Sequence, residues 1–269
     1  MTTVTWERLA KRWFAAACTC AVLASSDCVV AKTTDSSDLW WIPSESGQLV
    51  QQEMAIFATM FVYGPDGEPT WYVATLQYIG SFQWTGTLYA TTGPWFGTAP
   101  FDPSMVAVTA VGAMTFNAQF VDQALLVYTV NRVTVAKTIH RQNLVTLDFN
   151  GVFTGTLAQT GIGGAACGAA DNNPAAPASI GITQSGPSMA VTIRTDADTC
   201  TFPGSYSQGG HFGQVEGSYS CTSGNSGTFS ISEMAVSWYD FRARTVFTSN
   251  GGCLIKGYVD GLRQPPPAQ

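Results

Sequence analysis

Positive charge is scarce in this chain. Its 269 residues carry 12 Lys and Arg against 18 Asp and Glu, a formal charge of -6, and its few cations form no cluster beyond the first dozen positions. Non-specific affinity for a phosphate backbone comes from clustered Lys and Arg, so a nucleic-acid partner is excluded from the expectations. Histidine is scarcer still: His140 and His211 are the two present, and neither sits in a catalytic motif. The G-x-S-x-G elbow, H-E-x-x-H, the P-loop and the dinucleotide fingerprint are all missing, so the motif-borne hydrolase, metalloprotease and nucleotide chemistries have no foothold and no cofactor is expected. Charged residues of both signs reach only 11%, too few for the polar faces of many surface helices. No apolar run is long enough for a transmembrane helix.

What the chain does have begins with an export signal. Arg8, Lys11 and Arg12 precede an apolar stretch from Trp13 to Ala24, and small residues follow at Ser25, Ser26 and Ala31. Residues 1–31 therefore read as a cleavable secretory signal, which places the mature protein in the periplasm or outside the cell. Cleavage after Ala31 removes Cys18, Cys20 and Cys28 and leaves Cys167, Cys200, Cys221 and Cys253, an even set that suits two disulfides in an oxidising compartment. Cleavage after Ser26 instead leaves Cys28 as an odd thiol. A lipid anchor on Cys18 fits poorly, because Ala15 stands where a larger aliphatic residue is usual.

The body of the chain alternates with the period of strands. Phe82, Trp84 and Leu88 share one face while Gln83, Thr85 and Thr87 share the other. Residues 54–63 and 70–79 are apolar on both faces, which suggests an aromatic-rich interior and a covered exterior, and are joined by Gly-Pro-Asp-Gly at 64–67, a turn in which Pro sets φ and Gly accepts a positive φ. A second hairpin is expected around Asn131-Arg132, where Arg132 fits poorly at a position that wants positive φ. Residues 104–121 suggest two strands hinged near Gly112. Some eight strands fall between Leu39 and His140, enough to close a sheet or form a sandwich.

Near 141–143 the texture changes: aromatics thin out, Gly and Ser rise, and the four later cysteines follow. The chain is thus expected to be all-β, with two antiparallel β-barrel-like or sandwich domains and few helices, an N-terminal module at 38–142 and a disulfide-bonded domain at 143–264. Residues 161–178, rich in Gly, Ala, Asn and Pro, read as a long loop inside the second domain. The sharpest local expectation is the hairpin from Cys200 to Cys221. Facing Tyr206 with Val215 sets Gly204 against Gly217, Phe202 against Tyr219 and Cys200 against Cys221 on one face, so those cysteines pair and Cys167 is left to Cys253.

The motifs "DLWWIPSESG" (38–47), "FVYGPDGEPTWYVA" (61–74), "TGTLYATTGPWFG" (85–97), "FDPS" (101–104) and "RQ" (141–142) occur in order. Together they resemble an uncharacterised bacterial secreted β module that recurs singly or in tandem in envelope and exported proteins of proteobacteria. The second half is similar to the Cys-bearing β domain that often follows that module. The resemblance implies an extracytoplasmic β fold and supplies no activity. The family's Trp-Gly pair before "VQQ" is missing here, where Gln48 and Leu49 stand alone.

The remaining feature with binding chemistry is aromatic. Trp40, Trp41, Trp71, Tyr72, Trp84 and Trp95 crowd one part of the first module, and flat side chains with a polar tip suit a groove for sugars or apolar ligands, although closed sheets fill their interiors with the same residues. The alternation of Trp84 marks it as core, so the candidate ligand-binding set is Trp40, Trp41, Glu45, Trp71, Tyr72 and Trp95, with a small molecule, a glycan or an envelope protein as partner. The competing reading is a secreted hydrolase using Glu45, Asp102 and Asp148. His140 and His211 read as solvated surface residues, Asp66 and Glu68 as turn residues rather than calcium ligands, and no metal site is expected.

Overall fold

In the computed structural model, residues 34–42, 48–52, 55–163, 167–168 and 173–265 are described. The first 33 residues, with the expected signal and Cys18, Cys20 and Cys28, lie outside them, as does Glu45. The fold is all-β. Eight strands, β1 (Asp38–Trp41), β2 (Gln48–Gln52), β3 (Ile56–Tyr63), β4 (Pro69–Gly80), β5 (Gln83–Thr92), β6 (Ala107–Ala118), β7 (Gln123–Val130) and β8 (Val133–Arg141), close into one barrel. Eight more, β9 (Gly151–Ile162), β10 (Asn173–Ser185), β11 (Ser188–Arg194), β12 (Thr199–Gly209), β13 (Phe212–Cys221), β14 (Ser226–Val236), β15 (Asp240–Ser249) and β16 (Leu254–Arg263), close into a second. Every strand is antiparallel to its sequence neighbours, and the seams are β1 with β8 and β16 with β9. Closure leaves neither sheet an unpaired edge. The one helical piece among the described residues is a 3-10 turn at Pro103–Met105.

Alternation sets the cores. In β7, Ala124, Leu126 and Tyr128 point inward; in β11, Met189, Val191 and Ile193 do the same. Both interiors are apolar, the reverse of the polar lumen of a transmembrane barrel. The register also gives each barrel two distinct ends. In the first, Trp40, Trp84 and Phe116 pack edge to face near the end where β8 leaves for the second barrel. In the second, Phe149, Phe153 and Phe241 fill the end that receives the chain.

Three details differ from expectation. Residues 107–118 form one strand, not two, because Val111 is accommodated as a bulge between the pairs Leu88–Gly112 and Tyr89–Ala110. A Cβ at Gly112 would overlap the Thr129 carbonyl, so glycine there marks close strand approach rather than a hinge. The Gly, Ala and Pro rich stretch is not wholly loop: β9 runs to Ile162 and β10 begins at Asn173, since small residues keep their backbone pairing when the sheet closes around them. Finally, Asn131 and Arg132 both adopt positive φ, 47° and 72°, so the tight turn forms and Arg132 carries the left-handed conformation it disfavours.

The Cys200 hairpin has the expected register: Tyr206 faces Val215, Gly204 faces Gly217 and Cys200 faces Cys221. Cys200–Cys221 and Cys167–Cys253 are disulfides, closing loops of 21 and 86 residues at the end of the second barrel far from the first. By the loop-entropy relation, replacing Cys200 and Cys221 with Ala should lower the unfolding free energy of the second barrel by about 3 kcal/mol, and replacing Cys167 and Cys253 by about 5 kcal/mol. Urea unfolding followed by barrel-specific amide signals measures both.

Candidate functional site

The most highly organised polar cluster joins the two barrels. Arg141, the last residue of β8, is buried with its side chain wholly shielded, stacked 4.7 Å from the Trp40 ring centre and 5.0 Å from that of Phe212. Its Nε donates to Val121 O at 2.6 Å, and Nη1 donates to Ser37 O and to Asp38 Oδ2, each at 3.0 Å. Nη2 donates to Asp35 O. Asp38 Oδ2 also accepts from the backbone N–H of His211 and lies 2.8 Å from its Nδ1. Gly210, at φ +62°, comes so close that a Cβ there would overlap Asp38 Oδ2. Burial alone would push the Asp38 carboxyl up, but hydrogen bonds from His211 and Arg141, with the Arg141 charge, outweigh it and hold the group below the usual carboxylate range. Desolvation draws Arg141 down from the ordinary arginine value while Asp38 opposes the shift.

The strap of residues 34–37 completes the junction. Ser36 O accepts from the Trp40 indole N–H at 2.9 Å, and Thr34 donates through its N–H and hydroxyl to Glu233 of the second barrel. Glu233 sits at φ +50° where β14 bulges against both neighbours; it is buried, and Arg244 lies 3.7 Å away. A cavity of about 400 Å³ opens between Thr34, Asp35, Phe212 and Glu233 on one side and Arg242, Arg244, Tyr258 and Asp260 on the other. Nothing in the local sequence announced Asp38, Arg141, His211 or Glu233 as a set; His211, read as surface decoration, is an inter-barrel hydrogen-bond partner.

The six sequence candidates do not share one mouth. Trp40 is fully buried at the junction, and alternation leaves Trp41 half-buried beside His140. Tyr72 packs against the first barrel's core, while Trp71 is more than half exposed on its outer wall. Trp95 is exposed on the β5–β6 loop, its ring tilted against that of Phe96 at 5.4 Å, and Glu45 lies outside the described residues. What the structure assembles is an outer face. Phe61 stands directly across from Trp71, with Phe57 four residues back on β3, Tyr63 two residues on, and Val73 and Tyr89 paired on β4 and β5. Phe57, Phe61, Tyr63 and Trp71 are 44–71% exposed. Gln51, Thr59, Thr75, Gln77 and Thr87 alternate with them, and no Asp, Glu, Lys or Arg of β2 to β5 shares this face. The covered exterior expected for these strands is not there: among the described residues Phe57, Phe61 and Trp71 face solvent.

Asp102 caps the 3-10 turn by accepting from Ser104, and Asp148 accepts from Asn150. They belong to opposite ends of the first barrel, the β5–β6 loop and the segment after β8, so they form no catalytic pair. Asp66 accepts from the Glu68 N–H within its own turn. The one cluster with metal-ligand spacing among the described residues is Asp198, Cys200 and Cys221, and its sulfurs are spent in a disulfide. The chain matches no protein-family model, and no curated protein matches it either.

The junction carries a testable load. Arg141→Met leaves Asp38 desolvated without its cation and should cost about 3–5 kcal/mol in urea unfolding at neutral pH. Because the folded carboxyl of Asp38 is depressed, its contribution is complete above about pH 4 and lost as pH falls through the folded value. Asp38→Asn should therefore flatten the acid limb of a melting-temperature profile while lowering the neutral plateau.

Proposed function

We propose that the protein is an exported, non-catalytic binding module of the bacterial envelope or secretome, and that the outer aromatic wall of its first barrel takes a neutral polysaccharide. The observation that carries this reading is the solvent-facing pair Phe61–Trp71, extended by Phe57 and Tyr63 and interleaved with threonines and glutamines. Exposed aromatic groups in a contiguous patch mark an interaction surface. Their ring faces pack against the C–H faces of a pyranose, while neighbouring hydroxyl and amide groups exchange hydrogen bonds with its hydroxyls. An uncharged face offers nothing to anionic polymers, and a purely apolar ligand would leave its Thr and Gln groups unpaired.

Two disulfides and the lack, among the described residues, of any helix long and apolar enough to cross a membrane are compatible with a periplasmic or extracellular site. The amino-terminal signal pattern and the resemblance to exported bacterial β modules support the same location. Folded protein should be retained on at least one of insoluble cellulose, chitin or β-1,3-glucan. The Phe61→Ala/Trp71→Ala double variant should reduce retention by about tenfold or more, as expected for loss of aromatic anchors. Absence of retention, or equal retention by that variant with an unchanged melting temperature, overturns the proposal. Preferential binding of the wild type to oleate would reassign the wall to apolar ligands.

A further inference from the structure

The second barrel holds a hollow that the wall of the first does not explain. Its near end is filled by Phe149, Phe153 and Phe241, but at the far end the core stops short and leaves a cavity of about 240 Å³. Phe202 forms its floor, stacked on Phe247 at 4.9 Å and on Tyr219 at 5.4 Å, with planes within 26°. Leu157, Ile193 and Ile255 make the sides. All six side chains are at most 8% exposed, so the inner walls of the hollow belong to the core. Gln159, Thr195, Ser223 and Asn225 bring amide and hydroxyl groups to the opening, and the Cys200–Cys221 disulfide lines it.

The rim is braced. Asp198 ties the β11–β12 loop to the β13–β14 turn by accepting from Thr222 Oγ1 at 2.6 Å, from Ser223 N at 3.1 Å and from the Ser223 hydroxyl. With Cys167–Cys253 on the same end, two covalent bridges and this clasp hold the mouth in shape. Burial pushes the Asp198 carboxyl up, yet its hydrogen bonds from Ser223, Thr222 and Thr199 prevail and keep it ionised. A negative charge therefore stands at the entrance at neutral pH, which disfavours anionic head groups.

We infer that this mouth is a binding site for an uncharged single-ring compound bearing a hydroxyl group, of the phenol type. Size sets the ring count: the hollow exceeds the ~150 Å³ that accepts benzene and falls below the ~300 Å³ at which pockets for drug-sized molecules begin. The aromatic cluster of Phe202, Tyr219 and Phe247 offers an apolar ring surface to one more ring, and the polar rim meets the hydroxyl. An eight-stranded barrel is wide enough for one small ligand where its own side chains leave room.

The probe is p-cresol, titrated calorimetrically into the full-length mature protein, with octanoate as the anionic comparison. One saturable site is expected, with octanoate weaker by about tenfold or more given the charge at the entrance. Ala197→Phe, on the exposed loop at the mouth, should weaken p-cresol by about tenfold or more without lowering the melting temperature, and Ile255→Phe, which intrudes on the hollow from the core, should weaken it by a similar factor whatever overpacking costs in stability. Neither variant should change retention on polysaccharide, and Phe61→Ala/Trp71→Ala should leave p-cresol binding intact, which separates this site from the aromatic wall. No saturable binding, undiminished binding by the folded Ala197→Phe protein, or octanoate binding as tightly as p-cresol overturns the inference.

Discussion

A guanidinium clamped between two aromatic rings holds this molecule together. Arg141 lies between Trp40 of the first barrel and Phe212 of the second, with its N–H groups given to backbone carbonyls and to Asp38. An arginine suits this position where a lysine would not, because the planar group stacks on both faces while its edge donates several hydrogen bonds in fixed directions. A buried cation is costly unless every donor is met. Here that demand dictates the paths of Asp35 and Ser37, the turn at Gly210 and the ionised state of Asp38.

The two ends that face the junction are both filled, Trp40, Trp84 and Phe116 packing in the first barrel and Phe149, Phe153 and Phe241 in the second. These filled ends make the junction firm, and the proposed binding surfaces lie elsewhere: the outer wall of β3 to β5 in the first barrel and the disulfide-rimmed hollow in the second. The two differ in chemistry, one broad and exposed, the other small and lined largely by core side chains.

Much of this fold was readable from residue order. Period-2 alternation marks the strands, and the facing of Tyr206 with Val215 is enough to pair Cys200 with Cys221, because register in a hairpin propagates residue by residue. Alternation also distinguishes buried Trp40 from half-buried Trp41, although both stood in one candidate binding set. The junction was illegible for a different reason. Asp38, Arg141, His211 and Glu233 are far apart in the chain, and each looks locally like an ordinary strand-end or turn residue. Their roles arise only when two closed barrels meet: strict alternation after Phe229 and Ile231 would place residue 233 in the core, and a bulge gives that place to Met234 and leaves Glu233 to Thr34 and Arg244. The continuation of β9 and β10 into Gly and Ala rich sequence was hidden likewise, since backbone pairing in a closed sheet does not require side chains that favour strands.

Asp38 is the first residue of β1 and Arg141 the last of β8, the two strands that meet at the seam of the first barrel. Their ion pair can therefore form only after eight strands have come full circle, and only then does Arg141 stand where Phe212 can cover it. Docking of the second barrel therefore depends on the seam of the first: with the seam open, Arg141 has neither Asp38 nor Phe212 beside it.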